Sequence, residues 1–259
     1  MSVSPFRRKF STVIASAVIP LDPLTVGMDI WANMESVDKF GKSETIGSSY
    51  SPVSGGSSAV LLSAAETLDI VSDDVNDTLT GTGAQKIIIT GLDANYTEQT
   101  EEIDMDGTTP TVSSKTWIRF YIARVSAVGS DTSGTNLGVI TISGSTTTTA
   151  TLVIDSGDGR TQNAQYTIPA GNTGYMDRIF FTSNAALIMT GQLQVRPFGG
   201  AWQVYREIII QNEHISDNMA GTDPITEKSD IRWMARAATG PNNDATSGFK
   251  IILWKNSGG

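Results

Sequence analysis

The chain contains no cysteine and one histidine, His214. Without thiols there is no disulfide framework and no thiolate metal site. A single imidazole leaves no His-based zinc centre, and any Ser-His-Asp machinery would have to run through His214. No run of about 18 apolar residues occurs, so no membrane-spanning helix is expected. Charged residues make up only 17% of the 259 positions and hydrophobic ones 39%. That balance suits a folded chain and argues against extensive disorder. Basic residues are scarce as well: 18 Lys and Arg face 27 Asp and Glu, a net charge of -9. Binding phosphate backbones needs a basic face, and the one dense basic run is Arg7-Arg8-Lys9. Neither nucleic acid nor membrane is therefore expected as a partner. The three cations read either as solvated terminal charges or as a basic tip that docks on an acidic surface.

The segment RRKFSTVIASAVIP imitates a secretion signal weakly. Its apolar part is short, and the A-x-A at Ala15 to Ala17 falls inside that part instead of after it. It reads as an arm or a first strand.

Ser and Thr, by contrast, supply roughly a fifth of the residues, beside 25 Gly, a composition that favours strands and turns. Strand-like runs recur along the chain, among them GMDIWANM, SAVLLS, ETLDIVS, KIIITGL, TWIRFYIARV, LGVITIS, YMDRIFFTS, ALIMTGQLQVRPF, AWQVYREIII, DIRWMARAAT and FKIILW. GTGAQ, MDGTTP, DSGDGR, PAGNTG and FGG punctuate them. Helical character is confined to pieces such as SAAET and HISDNMA. The expected fold is all-β, an antiparallel sandwich of jelly-roll or immunoglobulin-like type. It divides into an arm with first strands (1–55) and two β units (56–160 and 161–259). The boundary near 155–163 is soft enough for the two units to be one composite domain.

Alternation assigns faces. Ile118, Phe120 and Ile122 share one side of their strand and Trp117, Arg119 and Tyr121 the other. In the later strands Ile209, Met234, Ile252 and Trp254 fall on nominally outer faces, to be covered by a second layer or by another subunit.

GLDANYTEQTEEIDMDG, Gly91 to Gly107, concentrates six carboxylates in seventeen residues. Aligned on Gly107 as a calcium loop it offers Glu102, Asp104 and Asp106, but Ser113 stands where the bidentate Glu belongs. As a catalytic pair, carboxylates two apart on a strand lie nearly 7 Å apart, a separation some glycosidases use across a cleft. These instead line one exposed face, where cross-strand ion pairs with Lys115 and Arg119 are the simple reading. DSGDGR, Asp155 to Arg160, reads as a hairpin turn with room for a loop calcium. Trp117 and Tyr121 flanking Arg119 offer a sugar-stacking platform, although interface or core packing explains the same residues. No cofactor, catalytic residue or metal ligand is expected.

KFG (Lys39–Gly41), GLDANY (Gly91–Tyr96), IPAGNTGY (Ile168–Tyr175), RPFGGAWQ (Arg196–Gln203), EKSDI (Glu227–Ile231) and TSGF (Thr246–Phe249), in this order and spacing, resemble a set of virion structural proteins of tailed bacteriophages, many from marine and aquatic hosts. The resemblance runs from about residue 27 to the end and transfers no catalytic residue. It implies a non-enzymatic virion component, first of all a capsid decoration, cement or head-protrusion subunit. Such a subunit would be homotrimeric, located in the virion and assembled in the host cytoplasm, with itself and the major capsid protein or other virion proteins as partners. Phe6, Phe10, Val13 and Ile14 of the arm would join Ile209, Met234, Ile252 and Trp254 in its interfaces. The alternatives are a tail adaptor or receptor-binding appendage reading host glycans through Trp117, Arg119 and Tyr121, and a glycan hydrolase acting through the acidic strand.

Overall fold

The computed structural model describes residues 23–27, 31–58, 60–219, 223–240 and 243–256. A short helix, α1 (Pro23–Gly27), precedes β1 (Met34–Ile46) and β2 (Ser51–Pro52). Then come β3 (Leu68–Ser72), β4 (Ala84–Leu92), β5 (Glu98–Asp104), β6 (Thr111–Val112), β7 (Arg119–Val128), β8 (Ile140–Gly144) and β9 (Thr151–Ile154). The chain closes with β10 (Gln165–Thr167), β11 (Asn172–Arg196), β12 (Gln203–Asn218), β13 (Asp230–Ala237) and β14 (Asn243–Lys255). All pairings between these strands are antiparallel, and the all-β expectation holds.

Residues 68–154 build a sandwich. One sheet has the order β6-β3-β8-β9 and the other β5-β4-β7. The apolar alternation of LDIVS and ITISG buries every second side chain, as half-buried strands require. Leu68, Ile70, Ile140, Ile142, Leu152 and Ile154 meet Ala84, Ile87, Ile89, Ile103, Trp117 and Ala123 in one core. Fully buried Asp77 pins the loops at one end. It accepts hydrogen bonds from Ser72 Oγ and from the backbone N–H groups of Ala84, Leu137 and Gly138, at 2.7 to 2.9 Å.

The remaining strands form a seven-stranded sheet organised by β11, which is 25 residues long. Its first half lies between β12 and β14, and its second half between β12 and β13. The register shift between Ser183 and Ile188 marks the change of neighbour, which is what a β-bulge does to a bent strand. β1 pairs with β14, and β2 with β13, so residues 34–52 belong to the same sheet as the last third of the chain. Inside the curl, Phe181 stacks on Trp233 at 5.6 Å, surrounded by Met176, Leu193, Phe249 and Ile251.

Where the curl returns on itself the sequence has Gly41. A Cβ there would sit 2.1 Å from the Val53 carbonyl oxygen and 2.6 Å from the Ala164 nitrogen, so only glycine lets β1 approach.

Three local expectations fail. GMDIWANM does not start a strand in its described part, because residues 31–33 turn and β1 begins at Met34. The described part of SAVLLS is irregular, and neither helical piece is a helix: SAAET is irregular apart from a bridge at Glu66, and HISDN is the end of β12. β1 went unrecognised because MESVDKFGKSETI has too few apolar residues to show alternation. Its buried positions include Lys39, Gly41 and Ser43.

Gly41→Ala is expected to lower stability by at least about 2–3 kcal/mol, at the upper end of single-substitution effects. Gly47→Ala, at a position with open space around it, should stay within about 1 kcal/mol. Paired thermal melts of the two variants test the closure.

Candidate interaction surface

The acidic stretch is the outer face of the β4–β5 hairpin. Its turn is closed by the Asp93 carboxylate, which accepts from the N–H groups of Asn95 and Thr97. Tyr96 takes a left-handed φ of 63° there. Glu102 and Asp104 lie 3.7 and 3.0 Å from Lys86 Nζ on the neighbouring strand. Glu101 accepts from the backbone N–H groups of Ser114 and Lys115. The ion pairs thus run to β4, not to Lys115 and Arg119 as alternation suggested. Lys115 Nζ donates to the Thr100 carbonyl, and Arg119 points inward. Among the described residues no group of three or more His, Cys, Asp or Glu side chains is placed to hold a metal ion.

DSGDGR is not a simple hairpin turn. Gly157 and Gly159 adopt φ of 83° and 67°, and the loop is tied to Asn136, whose side chain reaches the Asp155 carbonyl and the Gly159 N–H. From there the chain crosses to the edge of β7, where Val125 N–H donates to the Gly159 carbonyl. His214 lies exposed on β12, opposite Thr182, its ring 6.3 Å from that of Phe180.

The proposed sugar platform does not exist as a surface. Trp117, Arg119 and Tyr121 are 0%, 5% and 4% exposed. Alternation assigned the faces of this strand correctly but not which face is inside. Arg119 goes inside because its charge is fully matched. Its Nε lies 2.7 Å from Asp230 Oδ1, and its Nη1 donates to the Leu62 and Ile118 carbonyls. Asp230 also accepts from Arg196, at 2.6 Å, and from Thr167 Oγ1. Burial works to raise the Asp230 pKa, but hydrogen bonds and charge from Arg119, with Thr167 and Arg196, hold it below the usual carboxylate range. The network joins β7 of the sandwich to β10, β11 and β13 of the curled sheet.

Beside it Tyr121 packs edge-on against Tyr166 at 4.9 Å and donates to Glu98. Buried Lys39 donates from Nζ to the Tyr121 carbonyl at 2.8 Å. Burial, reinforced by the positive charge of Arg160 and only partly opposed by Asp38, pushes the Lys39 amine down to about 7.

Four of the six motifs named above meet next to this network. The Tyr96 carbonyl accepts from Ala170 N–H, and the Tyr96 ring meets Phe198 edge-on at 5.6 Å. Lys228 Nζ lies 5.8 Å from the Tyr96 ring and 5.4 Å from that of Phe198. Trp202 lies 3.8 Å beneath the Arg232 guanidinium. Phe198, 60% exposed, is the tip of this pole. The other two motifs meet across β1 and β14, where Lys39 pairs with Phe249 and Phe40 with Gly248.

The interface candidates divide. Met234 and Ile252 are each only 8% exposed, so the chain covers them itself, against the expectation for outer faces. Ile209 (61%) and Trp254 (42%) are open. Phe6, Phe10, Val13 and Ile14 lie outside the described residues. Exposed apolar residues that alternation did not single out join the open ones: Phe40, Tyr175, Ile188 and Val204. Phe40 and Phe180 face each other at 6.4 Å across Gly248, on which a Cβ would lie 2.4 Å from the Phe180 ring. A glycine strand position spanned by a ring is hard to read from sequence as an apolar surface.

No protein-family model and no curated protein matches the chain. Among solved structures, PirA is 12% identical, with a TM-score of 0.26 over 33% of this chain and 77% of its own. A structure of the infectious bursal disease virus Gx strain is 11% identical, with a TM-score of 0.23 over 98% of this chain and 78% of its own. T=1 particles derived from the same virus give 10% identity, a TM-score of 0.18, and coverage of 99% and 76%. None of these likenesses is close enough to decide a role.

Two predictions follow from the buried charges. Asp230→Asn should cost about 3–5 kcal/mol, because two guanidiniums lose their counter-charge. Asp104→Asn at the surface pair should change stability by less than about 1 kcal/mol, and urea titration of both variants separates them. Lys39 titrates near 7 when folded and near 10.4 when unfolded. Between those values the unfolded chain binds a proton that the folded chain does not, so this residue makes stability rise with pH. Measured from pH 7 to 10, the wild type should gain on Lys39→Met by up to about 1.4 kcal/mol per pH unit. A constant difference would mean the amine stays charged in the fold.

Proposed function

We propose that the chain is a non-enzymatic structural subunit of a virion, most simply one that decorates or cements the head shell. It would act by burying the apolar outside of its curled sheet against neighbouring copies. The observation that carries this reading is the number of exposed large apolar side chains, Phe40, Tyr175, Trp254, Ile188 and Ile209, that strands of a single sheet present, on a chain whose β5 strand presents carboxylates. A single exposed apolar residue needs no explanation, but several large ones on one sheet favour a cover. The motif resemblance to phage virion proteins supports the same reading. A homotrimer around a three-fold axis would use one patch per copy, and the acidic β5 face would keep assembled particles apart in solution. The tail alternative loses the aromatic platform it relied on, since Trp117 and Tyr121 are buried. The hydrolase alternative has its acids salt-bridged on an open strand face.

Quantitative mass spectrometry of purified virions tests the proposal. Hundreds of copies, in a simple ratio to the major capsid protein, are expected. Six, twelve or eighteen copies would move the protein to the tail or a vertex, and absence from the particle would end the virion reading.

A further inference from the structure

We infer that Arg124 and Arg160 form an anion site for a doubly charged phosphate, free or borne by a small ligand. The pair lies at the β7 edge of the sandwich and not on the apolar outside of the curled sheet, so the inference is independent of the shell-subunit reading. Residues 159–161 run antiparallel along that edge. Val125 N–H donates to the Gly159 carbonyl at 2.8 Å, and Thr161 N–H to the Ala123 carbonyl at 2.9 Å. Between these two bonds Arg124 and Arg160 stand directly opposite each other. A pair of this type makes no backbone hydrogen bond of its own, so its Cα atoms lie about 4.5 Å apart and its side chains are close. Like charges set directly opposite are destabilising. Both arginines are exposed, and among the described residues neither guanidinium has a hydrogen bond or an ion pair.

The acids around the pair are engaged elsewhere. Asp158 follows Gly157 in the neighbouring loop, and its carboxylate accepts from Gln162 Nε2 at 2.6 Å. Glu102 lies in line with Arg124 across Ile88 of β4, but it accepts from Ser126 Oγ and lies 3.7 Å from Lys86 Nζ. The Asp131 carboxylate accepts from Ser133 N–H. Asp155 and Glu44 line a separate hollow together with Lys42. None of these carboxylates meets either guanidinium. The charge of Arg160 is felt at the buried Lys39 amine, which it helps to hold down.

Beside the pair opens a cleft of about 530 Å³, a size that suits a small molecule. Its walls are β7 from Arg124 to Val128 and the loops 133–135 and 157–160, and Asp158 is the one acid among its lining residues. Gly134 and Gly157 hold φ of 67° and 83° there and have open space where a Cβ would stand, so no side chain narrows the walls at those points. Two adjacent guanidiniums offer forked donors and two positive charges, which a phosphate dianion matches in geometry and in charge. A phosphomonoester carries about -1.5 to -2 at neutral pH. The singly charged diester of a nucleic acid leaves one guanidinium unanswered.

Equilibrium dialysis of the full chain against labelled inorganic phosphate, at constant ionic strength set with sodium chloride, tests the site. One saturable site per chain is expected. Dimethyl phosphate should displace the label at least about tenfold less well than unlabelled phosphate, because it lacks the second charge. Arg124→Gln and Arg160→Gln should each weaken binding at least about tenfold, whereas Arg178→Gln, which removes a lone exposed guanidinium on β11, should leave it unchanged. Arg160→Lys keeps the charge without the fork and should bind with intermediate affinity. Matching melts check that these surface variants fold, and phosphate should raise the Tm of the wild type but not of Arg124→Gln/Arg160→Gln. Glucose 6-phosphate that competes better than phosphate, while glucose does not compete, assigns the site to a monoester; equal or weaker competition assigns it to the free ion. Absence of saturation by about 0.1 M phosphate, where salt already screens charges beyond about 10 Å, overturns the inference. Binding that survives Arg124→Gln/Arg160→Gln, or that dimethyl phosphate matches, overturns it as well.

Discussion

The Asp230 carboxylate is the buried charge at which the two sheet systems of this molecule meet. A buried charge is tolerated only when every lone pair is satisfied. Here Arg119, Arg196 and Thr167 supply the donors, and the spare N–H of Arg119 goes to backbone carbonyls. Arg119 comes from the sandwich, and the other groups from three strands of the curled sheet. The guanidinium plane accepts little rotation, so the network fixes how one body sits on the other. Tyr121 and Tyr166 pack beside it, and Lys39 reaches in from β1 to the Tyr121 carbonyl. Burial there lowers the pKa of that amine to about 7.

The motifs that carried the sequence resemblance make sense in these terms. GLDANY, IPAGNTGY, RPFGGAWQ and EKSDI are four turns brought together next to Asp230, and KFG and TSGF face each other across β1 and β14. Turns look weakly constrained when read singly. Here they are constrained in pairs, by a carbonyl accepting from the next turn or a ring meeting another ring, as Tyr96 does with Ala170 and Phe198.

Much of the fold was legible because period-two alternation is local. ETLDIVS, KIIITGL and LGVITIS announce strands, and DIRWMARAAT and FKIILW do the same. What alternation does not reveal is which face is inside when both carry large residues. Arg119 and Tyr121 of β7, with Trp117 just before it, turn inward, and Arg119 meets there an Asp230 that lies 111 residues away in sequence. Nor does it reveal β1, whose buried side includes Lys39 and Gly41, or the fusion of YMDRIFFTS and ALIMTGQLQVRPF into one bent strand. Those features depend on partners remote in sequence. The acidic hairpin was readable as a surface, but its cation was misassigned to the next strand because Lys86 precedes the stretch.

The two bodies differ in which apolar side chains they expose. The sandwich carries carboxylates on its outer β5 strand, where Glu102 and Asp104 pair with Lys86, and the large apolar residues it exposes are aliphatic, among them Val75, Leu79 and Val112. The curled sheet is different: its interior is filled by Trp233, Phe181 and Phe249, yet it also shows aromatic and branched side chains on the outside. Those outer side chains are not part of the buried cluster that fills the sheet. Solubility disfavours them on a free surface, and that is the physical ground on which the shell-subunit proposal rests.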